Sequence, residues 1–326
     1  MSYSPPERSH WTGRKTPPGT PPDYWYQVVE MLNLEDRTGE GPSPDYALLG
    51  YACDEGVRRN QGRTGAAAGP ESITKQLGSV ANHFGTTVLA DAGSVSCPDG
   101  DLEATQVEFG RRISQLLGRG ITPIGLGGGH DIAYAHYLGL QEHLDGQGDD
   151  GVLGVLNFDA HFDLRPHTNG PTSGTPFRQI LEEGGKSVVY FPIGIQPAAN
   201  PPSLFRTARD LGVGCVTADA CRVGNLPVIL QMIGQFLDDI DHLYVTVDLD
   251  GFSSAYAPGV SAPSPTGFSP AFFFPLFRLL VNSGKLLSLD LAEYNPGYDR
   301  DGHTAKLAGR IIAAAVQNDG HQRYYK

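Results

Sequence analysis

Short apolar runs bounded by Gly, Pro or polar residues recur along most of this chain, and the intervals between them carry apolar positions three and four apart. The runs predict strands at Tyr46–Ala52 and near residues 86–91, 121–126, 152–158, 188–195, 213–217, 242–248 and 286–291. Helical spacing fills most gaps, as in Val107, Ile113, Leu116 and Leu117, or Phe272, Leu276, Leu279 and Leu280. A last helix is predicted from near Asp301 through Leu307, Ile311 and Ile312 to about Gln317, with Asp301 or Thr304 as its cap. Strands alternating with helices imply an α/β fold with a largely parallel sheet of about eight strands, covered on both faces. Residues 1 to about 23, with Pro5, Pro6, Pro17, Pro18, Pro21 and Pro22, predict an arm without ordered secondary structure. A short helix on Trp25, Val28, Val29 and Leu32 follows, then a Pro/Gly-rich link from Gly39 to Pro44. The expected division is therefore 1–44 for the arm and helix, and 45–326 for a single domain. Asp54 to Gly69 reads as a polar loop.

Composition narrows the partners. A formal net charge of -12 and a pI near 5.2 speak against a nucleic-acid or anionic-membrane surface, which needs clustered Lys and Arg. Cys53, Cys97, Cys215 and Cys221 show no zinc-ribbon spacing and are too few for a disulfide scaffold, so reduced, packed thiols are expected. The N-terminus lacks an apolar signal core, and no segment supplies the ~18 unbroken apolar residues of a membrane span. A soluble, cytoplasmic protein is the expectation.

Chemistry gathers where apolar runs end. Asn157–Asp163 sets Asp159, His161 and Asp163 at alternate positions, which on an extended chain point the same way. Asp248 and Asp250 end a second run, and His130 follows the turn Gly127–Gly129. Taken singly, Asp248 or Asp250 would cap a helix or close a turn, and His130 would be a packed histidine. Three clusters at equivalent strand ends, where ligands of parallel sheets collect, point instead to one site for two metal ions. Mixed carboxylate and imidazole ligands fit Mn²⁺, Fe²⁺, Co²⁺ or Zn²⁺, with the oxygen-rich balance leaning toward Mn²⁺. The glycine run lacks the Lys and spacing of a phosphate loop; a tight turn presenting His130 explains it better.

GGGHD at 127–131, NFDAHFD at 157–163, TVDLDGF at 246–252 and LDLAEYNP at 289–296 resemble, in that order, the arginase and agmatinase family of ureohydrolases. Within it, CDEGVRRNQGRTGAAAGP at 53–70, DGDLEATQ at 99–106, SGTPFRQIL at 173–181 and WTGR at 11–14 resemble the formimidoylglutamase branch. The resemblance implies an arginase-like three-layer α/β/α fold with two Mn²⁺ ions per subunit, held by His130, Asp159, His161, Asp163, Asp248 and Asp250. Glu293 matches the acid that pairs with the guanidinium or amidine, although a carboxylate there could also salt-bridge a neighbouring helix. Arginases and agmatinases carry His where Ser173 stands, so that proton-transfer role passes to solvent, to the leaving group or to a neighbour such as His167. Relatives form homo-oligomers, and the same is expected here.

The implied substrate, N-formimino-L-glutamate, carries two carboxylates and a cationic formimidoyl group, so its pocket needs guanidinium donors at one end and an acid at the other. Arg165 stands where arginases have Asn, and Arg58, Arg59, Asn60 and Ser173 are further candidate contacts; Arg178 reads as structural. The implied reaction, in histidine degradation, is attack of a metal-bridging hydroxide, oriented by Asp163, on the formimidoyl carbon. It releases L-glutamate and formamide. The alternatives are a ureohydrolase acting on another guanidino compound, such as guanidinobutyrate or agmatine, and a catalytically silent binding protein with the same fold.

Overall fold

The computed structural model describes residues 2–36 and 43–317. The strands are β1 (Tyr3–Ser4), β2 (Glu30–Met31), β3 (Tyr46–Ala52), β4 (Leu89–Ser96) and β5 (Thr122–Leu126), followed by β6 (Leu153–Phe158), β7 (Val188–Ile195), β8 (Val216–Thr217), β9 (His242–Asp248) and β10 (Leu286–Ala292). Between them lie α1 (Glu55–Arg59), α2 (Gly69–Leu77), α3 (Leu102–Leu117), α4 (Ile132–Gln147), α5 (Pro176–Gly184), α6 (Pro202–Asp210), α7 (Leu226–Asp238), α8 (Pro270–Val281) and α9 (His303–Val316). All form one sheet in the order β1-β4-β3-β5-β10-β9-β6-β7-β8, with β2 also on β4. Every pairing is parallel except β1 with β4.

Alternation along the strands builds two cores. Leu48, Ile124, Leu126, Val245, Val247, Leu289 and Leu291 face α2, α7, α8 and α9. Ala47, Leu49, Tyr51, Val155 and Tyr244 face α3, α4, α5 and α6. Successive strand residues point to opposite faces, so apolar residues on both keep the sheet dry between two helical layers. Each fully buried large apolar side chain contributes roughly 1.5–3 kcal/mol of burial. In α3 the buried stripe is Leu102, Phe109, Ile113 and Leu116, while Val107, expected on it, points to solvent.

The eight predicted strands are present, with shifted ends: the one placed at 86–91 runs Leu89–Ser96, and the one at 213–217 keeps only Val216–Thr217. The arm is a correction. Tyr3–Ser4 adds the antiparallel edge strand, and Trp11 is buried, donating from Nε1 to Asp91 Oδ2 at 2.7 Å. The expected helix at Trp25 is a single 3-10 turn, Trp25–Gln27, after which Glu30–Met31 pairs with β4. Part of the expected link, Gly39–Pro42, lies outside the described residues. The polar loop after β3 contains α1.

The cap of α9 is also a correction. Gly302 is the N-cap, with φ 63°, and neither Asp301 nor Thr304 caps with its side chain. Asp299 does that work from outside the helix: its Oδ1 accepts from Thr304 N at 3.0 Å and its Oδ2 from Ala305 N at 3.2 Å. Thr304 Oγ1 instead accepts from Gly259 N at 2.8 Å.

Candidate metal and substrate site

Four central strands, β5, β10, β9 and β6, lie side by side, and the residues just past their carboxyl ends converge. After β5, Gly127 N donates to Leu291 O at 2.7 Å, Gly128 N to Tyr51 O at 2.9 Å and Gly129 N to Cys53 O at 3.1 Å. A Cβ on Gly128 would meet Cys53 O at 1.7 Å, so the turn can thread between β3 and β10 only without side chains. It delivers His130, fully buried, to the site.

The second segment reaches the site by a geometry other than the expected extended chain. β6 stops at Phe158, Asp159 Oδ1 accepts from His161 N at 2.6 Å, and Asp163 sits at φ 49°. After β9, Asp248 Oδ1 accepts from Asp250 N at 2.7 Å across a 3-10 turn, so Asp248 both closes a turn and turns its other oxygen inward. Asn200 braces the loop from behind, its Oδ1 accepting from Phe162 N at 3.0 Å and its Nδ2 donating to Ala160 O at 2.8 Å.

His130 Nδ1 lies 3.0 Å from Asp159 Oδ2, 3.1 Å from Asp163 Oδ2 and 3.1 Å from Asp248 Oδ2. Beside it, His161 Nδ1 lies 3.1 Å from Asp250 Oδ2 and 3.5 Å from Asp159 Oδ1. Among the described residues these form two metal-capable groups: His130, Asp159, Asp163 and Asp248; and Asp159, His161 and Asp250. Asp159 belongs to both. His130 Nδ1 and Asp250 Oδ1 are buried without a hydrogen-bond partner, which buried polar atoms rarely tolerate. Convergent carboxylate oxygens around an orphaned imidazole nitrogen fit a pair of divalent cations.

The electrostatics without a cation say the same. Burial, with Asp250 and Asp159 adding to it, pushes the Asp248 carboxyl well above its ordinary range, and burial pushes Asp250 up to about 6. The Asp250 carboxylate holds His161 well above the usual imidazole value. Burial opposes charge on His130, yet the surrounding aspartates hold it well above that value too. A cation relieves all of these at once.

The cavity beside this cluster, about 220 Å³, is lined by Asn60, Arg165, Ser173, Asp163, Asp250 and Glu293 among others. Glu293 follows β10 with φ 66°; its N donates to Gly128 O at 2.8 Å, and its Oε1 accepts from His130 N at 3.0 Å. Burial and the neighbouring Asp248 push its carboxyl well above the usual range. Glu293 and Asp163 are both non-glycine residues in the left-handed region, strain that clusters at functional sites. Glu293 makes no salt bridge to a helix among the described residues. Arg165 is exposed at the cavity and has no ion-pair partner among the described residues. Asn60 Nδ2 donates to Ser173 Oγ at 3.2 Å across the same wall.

Arg58 and Arg59 stand apart from this cavity. Arg58 donates to both Glu55 oxygens at 2.6 Å, while Arg59 reaches Glu55 Oε1 at 2.9 Å and Glu103 Oε1 at 2.7 Å. Neither lines the cavity: both engage Glu55 of α1, and Arg59 also reaches Glu103 of α3. His167 is likewise engaged elsewhere, its Nε2 2.8 Å from Glu182 Oε2, and Arg178 pairs with Glu182 at 2.7 Å. All four cysteines are free. Among the described residues, no helix is long and apolar enough to cross a membrane.

Sequence reading missed the polar layer behind the metal-capable residues. Thr246, Ser288 and Asp290 are buried on the α4 side of the sheet, where they meet His136. Its signal was there: Ser288 and Asp290 alternate with leucines in a strand that has no solvent face.

The chain belongs to the arginase family, whose sequence profile matches residues 44–317. Within it the chain is similar to the formimidoylglutamase of Aeromonas hydrophila, 42% identical over 97% of this chain and 99% of that protein. Two solved structures share the fold. The formimidoylglutamase of Bacillus subtilis superposes with a TM-score of 0.77 at 22% identity, covering 93% of this chain and 95% of that one. The formiminoglutamase of Trypanosoma cruzi with Mn²⁺ superposes with a TM-score of 0.74 at 23% identity, covering 88% and 97%.

Proposed function

We propose that this chain hydrolyses N-formimino-L-glutamate to L-glutamate and formamide, a step of histidine degradation, in the cytoplasm. The observation that carries the reading is the unpaired guanidinium of Arg165 in the same cavity as the buried acid Glu293. A substrate with carboxylates at one end and an amidine at the other satisfies both. The similarity to formimidoylglutamases over nearly the full chain supports it.

Two Mn²⁺ ions fit the donors: His130, Asp159, Asp163 and Asp248 would hold one, and Asp159, His161 and Asp250 the other. When bound, such a pair would acidify water and stabilise the negative charge that develops on the attacking oxygen. Arg165 grips a substrate carboxylate through paired N–H groups, Asn60 and Ser173 line the approach, and Glu293 holds the amidine nitrogen. Water adds to the formimidoyl carbon, the bond from that carbon to the glutamate nitrogen breaks, and a proton must reach that nitrogen. Asp163, at the cavity wall, accepts a proton from water and passes it there. With His167 tied to Glu182 and Ser173 bonded to Asn60, His161 is the one imidazole among the described residues that lines the cavity, and it belongs to a metal-capable group.

The test is a product assay on Mn²⁺-loaded protein given N-formimino-L-glutamate, with guanidinobutyrate, agmatine and arginine beside it. Glutamate with formamide is the expected result. Urea from a guanidino substrate, with formiminoglutamate untouched, would assign the chain to a different substrate; no product from any, with metal bound, would favour a silent binding protein.

A further inference from the structure

Behind His130 runs a chain of buried hydrogen bonds whose donors and acceptors can be assigned one by one. Ser288 Oγ donates to Pro123 O at 2.9 Å, so towards His136 Nε2 it can only accept. The other ring nitrogen, His136 Nδ1, lies 2.9 Å from Asp290 Oδ2. Both nitrogens of His136 are thus engaged by oxygen atoms. Tyr244 Oη also donates to Asp290 Oδ2. Thr246 Oγ1 donates to Asp290 Oδ1 at 2.6 Å, which spends the only proton of that hydroxyl. Thr246 Oγ1 also lies 3.0 Å from His130 Nε2, and there it must accept. That places a proton on His130 Nε2 and makes Nδ1 the nitrogen whose lone pair a cation would take. Nδ1 is the atom that looks onto Asp159, Asp163 and Asp248.

We propose that Thr246 and Asp290 are positioning residues that fix the tautomer and ring orientation of His130, so that its Nδ1 is presented to a metal ion as a ready ligand. The inference rests on the metal reading above and goes beyond it: the selecting group, Asp290, touches neither metal nor substrate but acts through one hydroxyl. Metal-binding histidines are commonly held through their second nitrogen, and losing that partner typically costs about 10–100-fold in metal affinity. The geometry favours this over mere burial of polar side chains. His136 and Tyr244 already satisfy Asp290 Oδ2, and the Oδ1 arm through Thr246 ends on His130.

The experiment uses the full chain. Its first arm measures Mn²⁺ affinity of wild type, Thr246→Val and Thr246→Ser by calorimetry, with circular dichroism as the fold check. Thr246→Val is expected to weaken Mn²⁺ binding by about 10–100-fold, and Thr246→Ser to restore it. The second arm reads long-range ¹H–¹⁵N correlations of ¹⁵N-histidine wild type loaded with diamagnetic Zn²⁺. The expected signature for His130 is a proton on Nε2 with the metal-shifted signal on Nδ1. Wild-type affinity in a folded Thr246→Val, or a His130 proton on Nδ1, would overturn the relay while leaving the metal reading intact. Wild type that binds no divalent ion would overturn both. If Thr246→Val fails to fold, the tautomer of wild type decides alone.

Discussion

Arg165 stands in the cavity with no ion pair among the described residues, whereas Arg58, in the neighbouring loop, spends its fork on Glu55. That contrast predicts opposite kinetics. Arg165→Ala is expected to raise KM for formiminoglutamate by about 10- to 100-fold with a smaller effect on kcat, the worth of a charge-assisted hydrogen bond to a ligand. Arg58→Ala should leave KM near wild type. Steady-state kinetics of the two variants check this, and equal KM values would remove Arg165 from the substrate site. The metal-capable residues were legible in the sequence because each follows an apolar run, a pattern that survives any detail of the turn. The division of labour among the arginines was not, since it depends on Glu103, which α3 brings from a distant stretch to meet Arg59.

Two elements carry predictions about stability. Asp299 accepts from Thr304 N and Ala305 N, and Tyr294 Oη donates to it, so it ties the start of α9 to the segment that follows Glu293. Asp299→Ala is expected to cost about 1–2 kcal/mol, seen as a lower denaturant midpoint; an unchanged midpoint would show that the cap is idle. In α1, hydrogen bonds from Arg58, then Arg59, hold the Glu55 carboxyl down to about 2. A carboxyl lowered on folding stabilises above its unfolded value of about 4.3, and that share is lost as pH falls through about 2. Because Arg58 is largely exposed, screening limits the gain to roughly 0.5–1 kcal/mol. Glu55→Gln should therefore be less stable than wild type at about pH 6, with the gap closing as pH drops below about 4; unfolding curves at both values test it, and a gap independent of pH would refute the pairing. Long strands were readable from apolar runs. β1 and β2 were not, because two residues establish no period and Tyr3 gains its burial from distant partners, among them β4, Leu34 and Arg112.

The whole molecule is knotted energetically at the metal cluster, whose members come from the ends of β5, β6 and β9. Removing Mn²⁺ with a chelator should lower Tm, since ligand present at about 100 times its Kd adds roughly 2.7 kcal/mol to the folded state. Calorimetry with and without Mn²⁺ tests this. In the stripped protein, burial raises Asp250 to about 6 and Asp248 well above its ordinary range, and Asp250 holds His161 protonated. Mn²⁺ uptake at about pH 6 must then expel protons, and a weakly buffered solution should acidify; uptake without proton release would contradict the ligand set. The α/β class and layers followed from the alternation of strand and helix, whereas the order of strands depends on pairings between distant segments. Leu289 of β10 lies between Ile124 of β5 and Val245 of β9, joining β1-β4-β3-β5 to β9-β6-β7-β8. A nascent chain that has emerged only through β9 therefore holds two half-sheets, each with a naked central edge able to capture a stray strand. Until the ribosome releases β10, neither half can close on the other, and both edges stay open to mispairing.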